Sequence, residues 1–339
     1  MIKCGATLTV NLAEMYRPLF NFREAKMKQL VILSGKGGTG KTTVAAALAH
    51  LASQEIPIIL ADADVDAANL ELVLSPTKLE EYDFIGGQVA IIDPEKCIAC
   101  GICAEVCRFN APHPLPSAPP FPSPTGKGRG GMGGEGEVYT IDPIACEGCA
   151  SCFYQCPEEA IRMEEQLAGR WFRSDTRFGP LFHAHLFAAQ ENSGKLVTLV
   201  KQQARLLALD AGAELLIVDG PPGIGCPVIS ASAGADLALL VTEPTVSGVH
   251  DLERVLATTD HFGVPALVCI NKYDVNPIRA REIAAFCADR GIEVVGQIPF
   301  DTVVTEAMVQ GLPVTDFSDG AVSRELRQVW ARVRGRLNQ

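Results

Sequence analysis

The chain has 339 residues, 47% of them hydrophobic, enough for one large core or for a large domain with a small companion, and disorder throughout is excluded. With 29 Lys and Arg against 40 Asp and Glu, the formal net charge is -11 and no basic stripe is available to neutralise phosphates along DNA or RNA, so nucleic acid is not an expected partner. No stretch approaches the roughly 18 apolar residues of a bilayer span, and the N-terminus lacks an apolar run before a small-residue cleavage site, so the expected location is cytoplasmic.

Residues 1–26 have no clear period and read as a loose N-terminal extension, with Met27 a natural initiator directly before the first strand. The run QLVILSGKGGTGKTTVAAALAHLA then reads as strand, glycine-rich turn and helix, with Val44, Leu48 and Leu51 at helical spacing. A second apolar strand is expected over Ile56–Ala61, and the theme returns at 215–219, 237–242, 266–271 and 294–299. These runs show little polar alternation, as parallel strands buried on both faces should. Helical patterns lie between them near Gly194–Ala211, Val249–Phe262 and Ile278–Arg290. The alternation predicts an α/β fold, a doubly wound, mostly parallel P-loop sheet.

The pattern is interrupted between about Phe84 and Glu165. The expected division is therefore a nucleotide-binding domain over 27–83 and 166–339, with an inserted α+β domain over 84–165. Within the insert, residues 111–136 are rich in Pro, Gly and Ser and read as a loop between two cysteine groups.

Of twelve cysteines, eight fall in those groups: Cys97, Cys100, Cys103 and Cys107, then Cys146, Cys149, Cys152 and Cys156. Such grouping indicates metal ligation rather than disulfides, while Cys4, Cys226, Cys269 and Cys287 are scattered and read as small core residues or inert thiols. Both groups have gaps of two, two and three residues, the spacing of bacterial ferredoxins, and they predict two 4Fe-4S clusters in a ferredoxin-like insert. Three cysteines wrap one cube and the fourth reaches the other. Cys97, Cys100, Cys103 and Cys156 are thus assigned to one cluster, and Cys107, Cys146, Cys149 and Cys152 to the second. Gly101 and Gly148 supply tight backbone beside the sulfurs, and Pro157 follows the last cysteine, but Arg108 stands where a second proline is expected. Zinc would favour two separated cysteine pairs in each group.

GKGGTGKT at 35–42 is a full Walker A match between a strand and a helix. Loop amides and the helix N-terminus cradle phosphates, Lys41 meets the β and γ phosphates, and the Thr42 hydroxyl coordinates Mg2+. The predicted nucleotide set in the loop is Gly35, Lys36, Gly37, Gly38, Thr39, Gly40, Lys41, Thr42 and Thr43.

The additional lysine, Lys36, resembles the signature of the deviant Walker A family, which includes MinD, ParA, Mrp and the nitrogenase iron protein. That resemblance extends from Met27 to the end of the chain. It implies a nucleotide-sandwich homodimer in which Lys36 reaches the partner's ATP, with hydrolysis dependent on dimerisation. It further implies that Asp64 of DADVDAANL orients the attacking water and Asp62 supports the Mg2+ shell. Asp219, ending LLIVD, corresponds to the Walker B carboxylate, and GPPG at 220–223 to switch II, with the Gly223 N–H facing the γ-phosphate. Asn271 of NKYD is the implied adenine reader, with Pro299 and Asp301 of IPFD beside the base. Asp274 also suits a guanine, but the resemblance favours ATP.

The insert between switch I and Walker B resembles a narrower group, MinD-superfamily ATPases carrying a ferredoxin domain, as do DGPPGIGCPVIS and NSGKLV. Within NSGKLV, Lys195 either approaches nucleotide or caps a helix. The implied function is an ATPase whose nucleotide switch is coupled to electron transfer with a redox or metalloprotein partner. The alternatives are an Mrp-like iron-sulfur carrier and a MinD-like spatial regulator. Cys226, beyond switch II, lies where the nitrogenase iron protein ligates a shared cluster, but no second cysteine occurs between Cys156 and Cys226, and a bridging role is not favoured. The C-terminal stripe Leu326, Val329, Trp330, Val333 and Leu337 suits a membrane-surface helix, yet packing on the sheet is the preferred reading.

Overall fold

A computed structural model describes residues 27–115, 138–188 and 192–339. The predicted 1–26 extension and most of the 111–136 loop lie outside the described residues.

The chain opens with β1 (Lys28–Ser34), where Leu30, Val31, Ile32 and Leu33 have no exposed surface. The phosphate loop then leads into α1 (Lys41–Ser53). β2 (Ile58–Asp62) begins later than the apolar run from Ile56 suggests, because the Ile56 N–H still bonds the Ala52 carbonyl at the close of α1 and Pro57 has no amide to offer. A short α2 (Leu70–Leu74) precedes the long β3 (Thr77–Ile92). The cysteine region comprises α3 (Ile102–Val106), β4 (Pro112–Pro114), β5 (Tyr139–Ile141) and α4 (Ser151–Gln155). The chain returns through β6 (Ile161–Thr176) and β7 (Gly179–Leu186).

From there the predicted alternation resumes: α5 (Ser193–Ala211), β8 (Leu215–Pro222), α6 (Cys226–Ser232), β9 (Leu237–Thr242), α7 (Gly248–His261) and β10 (Ala266–Asn271). It ends with α8 (Pro277–Asp289), β11 (Glu293–Ile298), α9 (Val303–Val309), α10 (Val314–Phe317) and α11 (Ala321–Leu337).

The main sheet has nine strands in the order β11-β10-β9-β1-β8-β2-β7-β6-β3. Every pairing from β11 to β7 is parallel, whereas β6 runs antiparallel to both β7 and β3. One face buries α1, α2 and α11 against the sheet, and the other buries α5, α7 and α8. Alternating strand faces thus feed two separate cores, as expected of a doubly wound sheet.

Two features were not apparent in the sequence pattern. Pro112–Pro114, within the predicted loop, forms a strand against Tyr139–Ile141, a two-stranded edge pairing that tolerates proline. More consequentially, β3 and β6 form one continuous ribbon, so the predicted divisions at 83/84 and 165/166 fall inside strands. β7 ends at Leu186, which pairs with Gly169, itself opposite Phe84. Beyond that row the ribbon continues over Ile85–Ile92, about 26 Å at ~3.3 Å per residue. It overhangs the carboxyl edge of the parallel strands, the edge that carries the phosphate loop.

The far end of the ribbon has its own small core, in which Ala90, Cys152 and Ile161 pack with Val106, Ile141 and Met163. At the other side of the sheet, Leu326, Val329, Trp330, Val333 and Leu337 of α11 are at most 6% exposed, so its apolar stripe is committed to the core. Among the described residues no helix is long and apolar enough to cross a membrane. Trp330→Ala, which empties the centre of that contact, is expected to cost about 3–5 kcal/mol in anaerobic urea unfolding; a loss below about 1 kcal/mol would contradict this packing.

Candidate functional site

The phosphate loop follows from local backbone chemistry. Gly40 precedes α1 with φ +89°, and a Cβ there would stand 2.2 Å from Asn271 Nδ2, so this position demands glycine on both conformational and steric grounds. α1 has no acidic residue in its first turn, leaving the positive end of its dipole uncompensated and facing the loop.

Lys41 is 6% exposed and lies among carboxylates, its Nζ 2.9 Å from Asp219 Oδ1 and 3.6 Å from Asp64 Oδ2. Burial opposes its charge, but the fields of Asp219, Asp64 and Asp62, with the hydrogen bond to Asp219, outweigh burial and hold its pKa above the usual lysine value. Asp62 has no exposed surface, and its two oxygens accept the Asp64 amide at 3.1 Å and the Leu70 amide at 3.0 Å. Burial, then the Asp219 charge, pushes the Asp62 carboxyl up to about 8. Burial likewise raises Asp64, against the pull of Lys41.

Lys41 faces all three aspartates with one positive charge, and Asp219 Oδ2 is buried without a hydrogen-bond partner. That orphaned oxygen and surplus negative charge fit a divalent cation, with the half-buried Thr42 hydroxyl on the adjoining turn. Asp219 and Thr42 could hold such an ion. Asp62 holds the backbone of the following segment through both oxygens.

The remaining predicted residues are engaged within the chain. Asn271, 9% exposed, donates from Nδ2 to the Thr39 carbonyl at 2.7 Å and accepts the Lys272 amide at Oδ1, bracing the loop; one amide hydrogen stays free for a base. Asp274 accepts the Phe300 amide at 2.7 Å, and Asp301 accepts the Val303 amide at the start of α9. The Gly223 N–H donates to the Ser34 carbonyl at 2.8 Å and is thereby taken up within the chain. Lys195 donates to the Gly86 carbonyl at 3.2 Å, tying α5 to the ribbon rather than approaching the phosphate loop.

Lys36 folds back onto its own subunit. Its Nζ lies 2.8 Å from Glu243 Oε1 and donates to Thr245 Oγ1 at 2.9 Å. Lys272 holds the other Glu243 oxygen at 3.3 Å and the Gly38 carbonyl at 3.2 Å. Burial alone would raise the Glu243 carboxyl, but hydrogen bonds and charge from Lys36 and Lys272 hold it below the usual carboxylate value. The latch residues Glu243 and Thr245, which lie in VTEPT at the end of the strand after switch II, were missed in the sequence.

At the end of the ribbon, the structure gathers the cysteines into two quartets. Cys97, Cys100, Cys103 and Cys156 line one apolar cavity, and Cys107, Cys146, Cys149 and Cys152 line another. The two halves repeat one another in backbone detail. Ala99 and Gly101 flank Cys100 with φ +59° and +77°, as Gly148 and Ala150 flank Cys149 with φ +63° and +60°. This pair of left-handed residues turns successive amides toward a common centre, the arrangement of an anion-binding nest.

Three residues after each fourth cysteine, Asn110 and Glu159 again have positive φ, followed by buried Ala111 and Ala160. The halves are stitched crosswise: the Asp93 amide bonds the Ala160 carbonyl at 2.7 Å and the Asp142 amide bonds the Ala111 carbonyl at 2.8 Å. This exchange carries the fourth cysteine of each half into the other cavity. The sequence signal, overlooked, was Asp-Pro four residues before each leading cysteine.

Two sulfurs also meet backbone amides, Cys146 Sγ with Ala90 N at 3.5 Å and Cys156 Sγ with Ala160 N at 3.3 Å. Burial pushes the Cys103 thiol up to about 11, so the metal that fills this donor set has to displace its proton. Four thiolate donors on apolar walls with inward amides fit a cubane cluster better than a hydrated ion. Cys269 and Cys287 are fully buried within the sheet and α8, and burial raises their thiols to about 12 and 11. Cys226 is exposed at the first position of α6.

A buried loop lysine facing carboxylates at the carboxyl edge of a parallel sheet defines a P-loop nucleotide-binding protein. More narrowly, the chain belongs to the CobQ/CobB/MinD/ParA nucleotide-binding domain family, whose profile matches residues 30–314. It is 31% identical over 306 residues to an uncharacterised protein of Methanocaldococcus jannaschii, covering 90% of this chain and 96% of that one. It is 22% identical over 333 residues to the iron-sulfur cluster carrier protein of Pyrococcus abyssi, covering 94% of this chain and 89% of that one. Among solved structures, MinD of Pyrococcus horikoshii, complexed with Mg-ADP, shares the fold with a TM-score of 0.53 at 17% identity, covering 91% of this chain and 96% of that one.

Because Asn271 is a buried brace on the loop, Asn271→Ala leaves the Thr39 carbonyl unpaired. Its nucleotide affinity, measured by calorimetry, is expected to fall roughly tenfold, about 1.4 kcal/mol, with the fold intact by circular dichroism.

Proposed function

We propose that this protein is an ATP-hydrolysing, dimerising switch that carries two 4Fe-4S clusters on its ribbon and uses the nucleotide cycle to gate electron transfer to a protein partner. The observation that carries this reading is the overhang: both cysteine quartets stand on strands that project past the edge holding the phosphate loop. The division into a nucleotide domain over 27–83 and 166–339 and a ferredoxin-like insert over 84–165 is part of the proposal, with β3 and β6 as the shared element.

In this reading Gly35, Gly37, Gly38, Thr39, Gly40 and Thr43 shape the phosphate cradle, Lys41 moves from Asp219 toward the β and γ phosphates, and Thr42 and Asp219 hold Mg2+. Asp62 fixes the segment bearing Asp64, and Asp64 orients water. A bond forms from that water's oxygen to the γ-phosphorus as the bond to the β–γ bridging oxygen breaks. The products are ADP and phosphate, and the water's proton leaves with phosphate. Asn271, Pro299 and Asp301 border the adenine, and the Gly223 N–H leaves Ser34 to meet the γ-phosphate.

Lys36 completes the partner's site in the homodimer, on a face where Val246 is 88% exposed. The clusters supply one-electron transfer between a reduced donor and an oxidised acceptor. Cys97, Cys100, Cys103 and Cys156 hold one, and Cys107, Cys146, Cys149 and Cys152 the other.

The full chain purified anaerobically is expected to contain about eight iron atoms, and ATP is expected to change the rate at which it reduces an acceptor protein. Reduction indifferent to ATP and to Lys36→Ala would overturn the coupling. The similarity to an iron-sulfur cluster carrier supports a second reading, delivery of a cluster, and transfer of labelled iron to an apo-acceptor would select it.

In the present conformation Lys36 is held in cis by Glu243, so leaving that carboxylate is part of the cost of crossing to a partner. Glu243→Gln is therefore expected to promote ATP-dependent dimerisation, read as a several-fold lower dimer dissociation constant in sedimentation, with Lys36→Ala abolishing the gain.

A further inference from the structure

Three side chains outside the nucleotide and cysteine sites converge at the root of the ribbon. Glu71 lies on α2, while His183 and His185 occupy alternate positions of β7 and therefore share one face of the sheet. Glu71 Oε2 is 2.9 Å from His183 Nδ1, and Glu71 Oε1 is 3.2 Å from His185 Nε2. One donor atom from each residue lies within 4.8 Å of the others. Ligands about 2.1 Å from a tetrahedral ion stand ~3.4 Å apart, so only a small inward movement closes the set.

His183 gives the decisive observation. It is 1% exposed, yet Nδ1 has no hydrogen-bond partner, because the nearby Glu71 oxygen lies outside the direction of a ring N–H. The opposite nitrogen, Nε2, is 2.8 Å from Ser174 Oγ, itself fully buried. Ser174 thereby orients the ring as an outer partner does in metal sites, and Nδ1 is left buried beside the carboxylate with no hydrogen bond to it. A buried ring nitrogen that forgoes a hydrogen bond to the carboxylate beside it is one a cation between the two would satisfy.

Phe172 lies against both imidazoles, with ring centroids 5.0 and 5.5 Å away, and walls the cluster on one side. The nearby Lys78 ammonium is taken up elsewhere, 3.7 Å over the Phe172 ring and 3.5 Å from Glu81. His185 and Glu71 retain exposed surface, giving an ion an entry path and a position for water.

We propose that Glu71, His183 and His185 form a site for a divalent transition metal of the zinc class, with two imidazoles, one carboxylate and an open position. Its place suggests a purpose. Leu70, the neighbour of Glu71, is held through its amide by Asp62, and the Leu186 amide at the end of β7 bonds the Val65 carbonyl at 3.0 Å. A bound ion would clamp α2 to β7, joining the segment that follows Asp64 to the base of the cysteine-bearing ribbon.

The test uses the full chain, prepared anaerobically with its iron retained, equilibrated with excess Zn2+ and desalted. Zinc is counted by mass spectrometry and its ligands are identified by X-ray absorption. About one zinc per chain with imidazole nitrogen in the shell is expected, and at least a tenfold loss of affinity in both His185→Ala and Glu71→Ala, with iron content unchanged. Because His185 and Glu71 are partly exposed, these variants spare the buried His183. A sulfur-only shell, no retained zinc, or unchanged affinity in both variants would overturn the proposal.

Discussion

The ammonium of Lys41 sits where the phosphate loop, the end of β2 and the end of β8 meet, with carboxylates from both strands around it. At low dielectric an uncompensated charge costs several kcal/mol, so this lysine and these aspartates constrain one another's positions. Much of the surrounding geometry serves that constraint. Asp62 secures the chain after β2 through two backbone amides, and Asn271 reaches from β10 to brace the loop before α1. The result is negative on balance, with one Asp219 oxygen unpaired, an arrangement that favours cations with bound phosphate.

Around this centre, groups whose predicted roles face nucleotide or partner have interim partners within the chain. Lys36 rests on Glu243, and the Gly223 amide rests on Ser34. Exchanging an internal hydrogen bond for one to phosphate changes free energy by little, so small differences in affinity can move such a switch. β6 is paired to β7 on its inner edge and to β3 along its length, with register shifts between Phe84 and Gly87, where the overhang begins.

The parallel strands were legible because burial on both faces requires unbroken apolar runs, and LALLVT and ALVCIN are strands over their whole length. The cysteine quartets were legible because spacing along a short loop limits which sulfurs share a centre; the structure gathers the same fours. The ribbon was not legible. In β3, TKLEEYDFIGGQVAII mixes charges with apolar residues on a strand that is half edge and half overhang, so neither burial pattern repeats along it. The latch on Lys36 escaped notice for another reason: Glu243 lies 207 positions away, and nothing local marks it as the lysine's partner.

Local chemistry therefore set what each segment can do. The glycine loop can cradle phosphate and each cysteine group can place three sulfurs about one centre because those capacities reside in a few neighbouring residues and their backbone. Tertiary structure decided which partners each group currently holds. Asn271 braces the loop, Asp62 binds backbone and Lys36 is latched, because each of these depends on contacts between segments far apart in the chain. Only the sheet's strand order and the length of the β3–β6 ribbon bring the cysteine centre to the nucleotide edge of the fold.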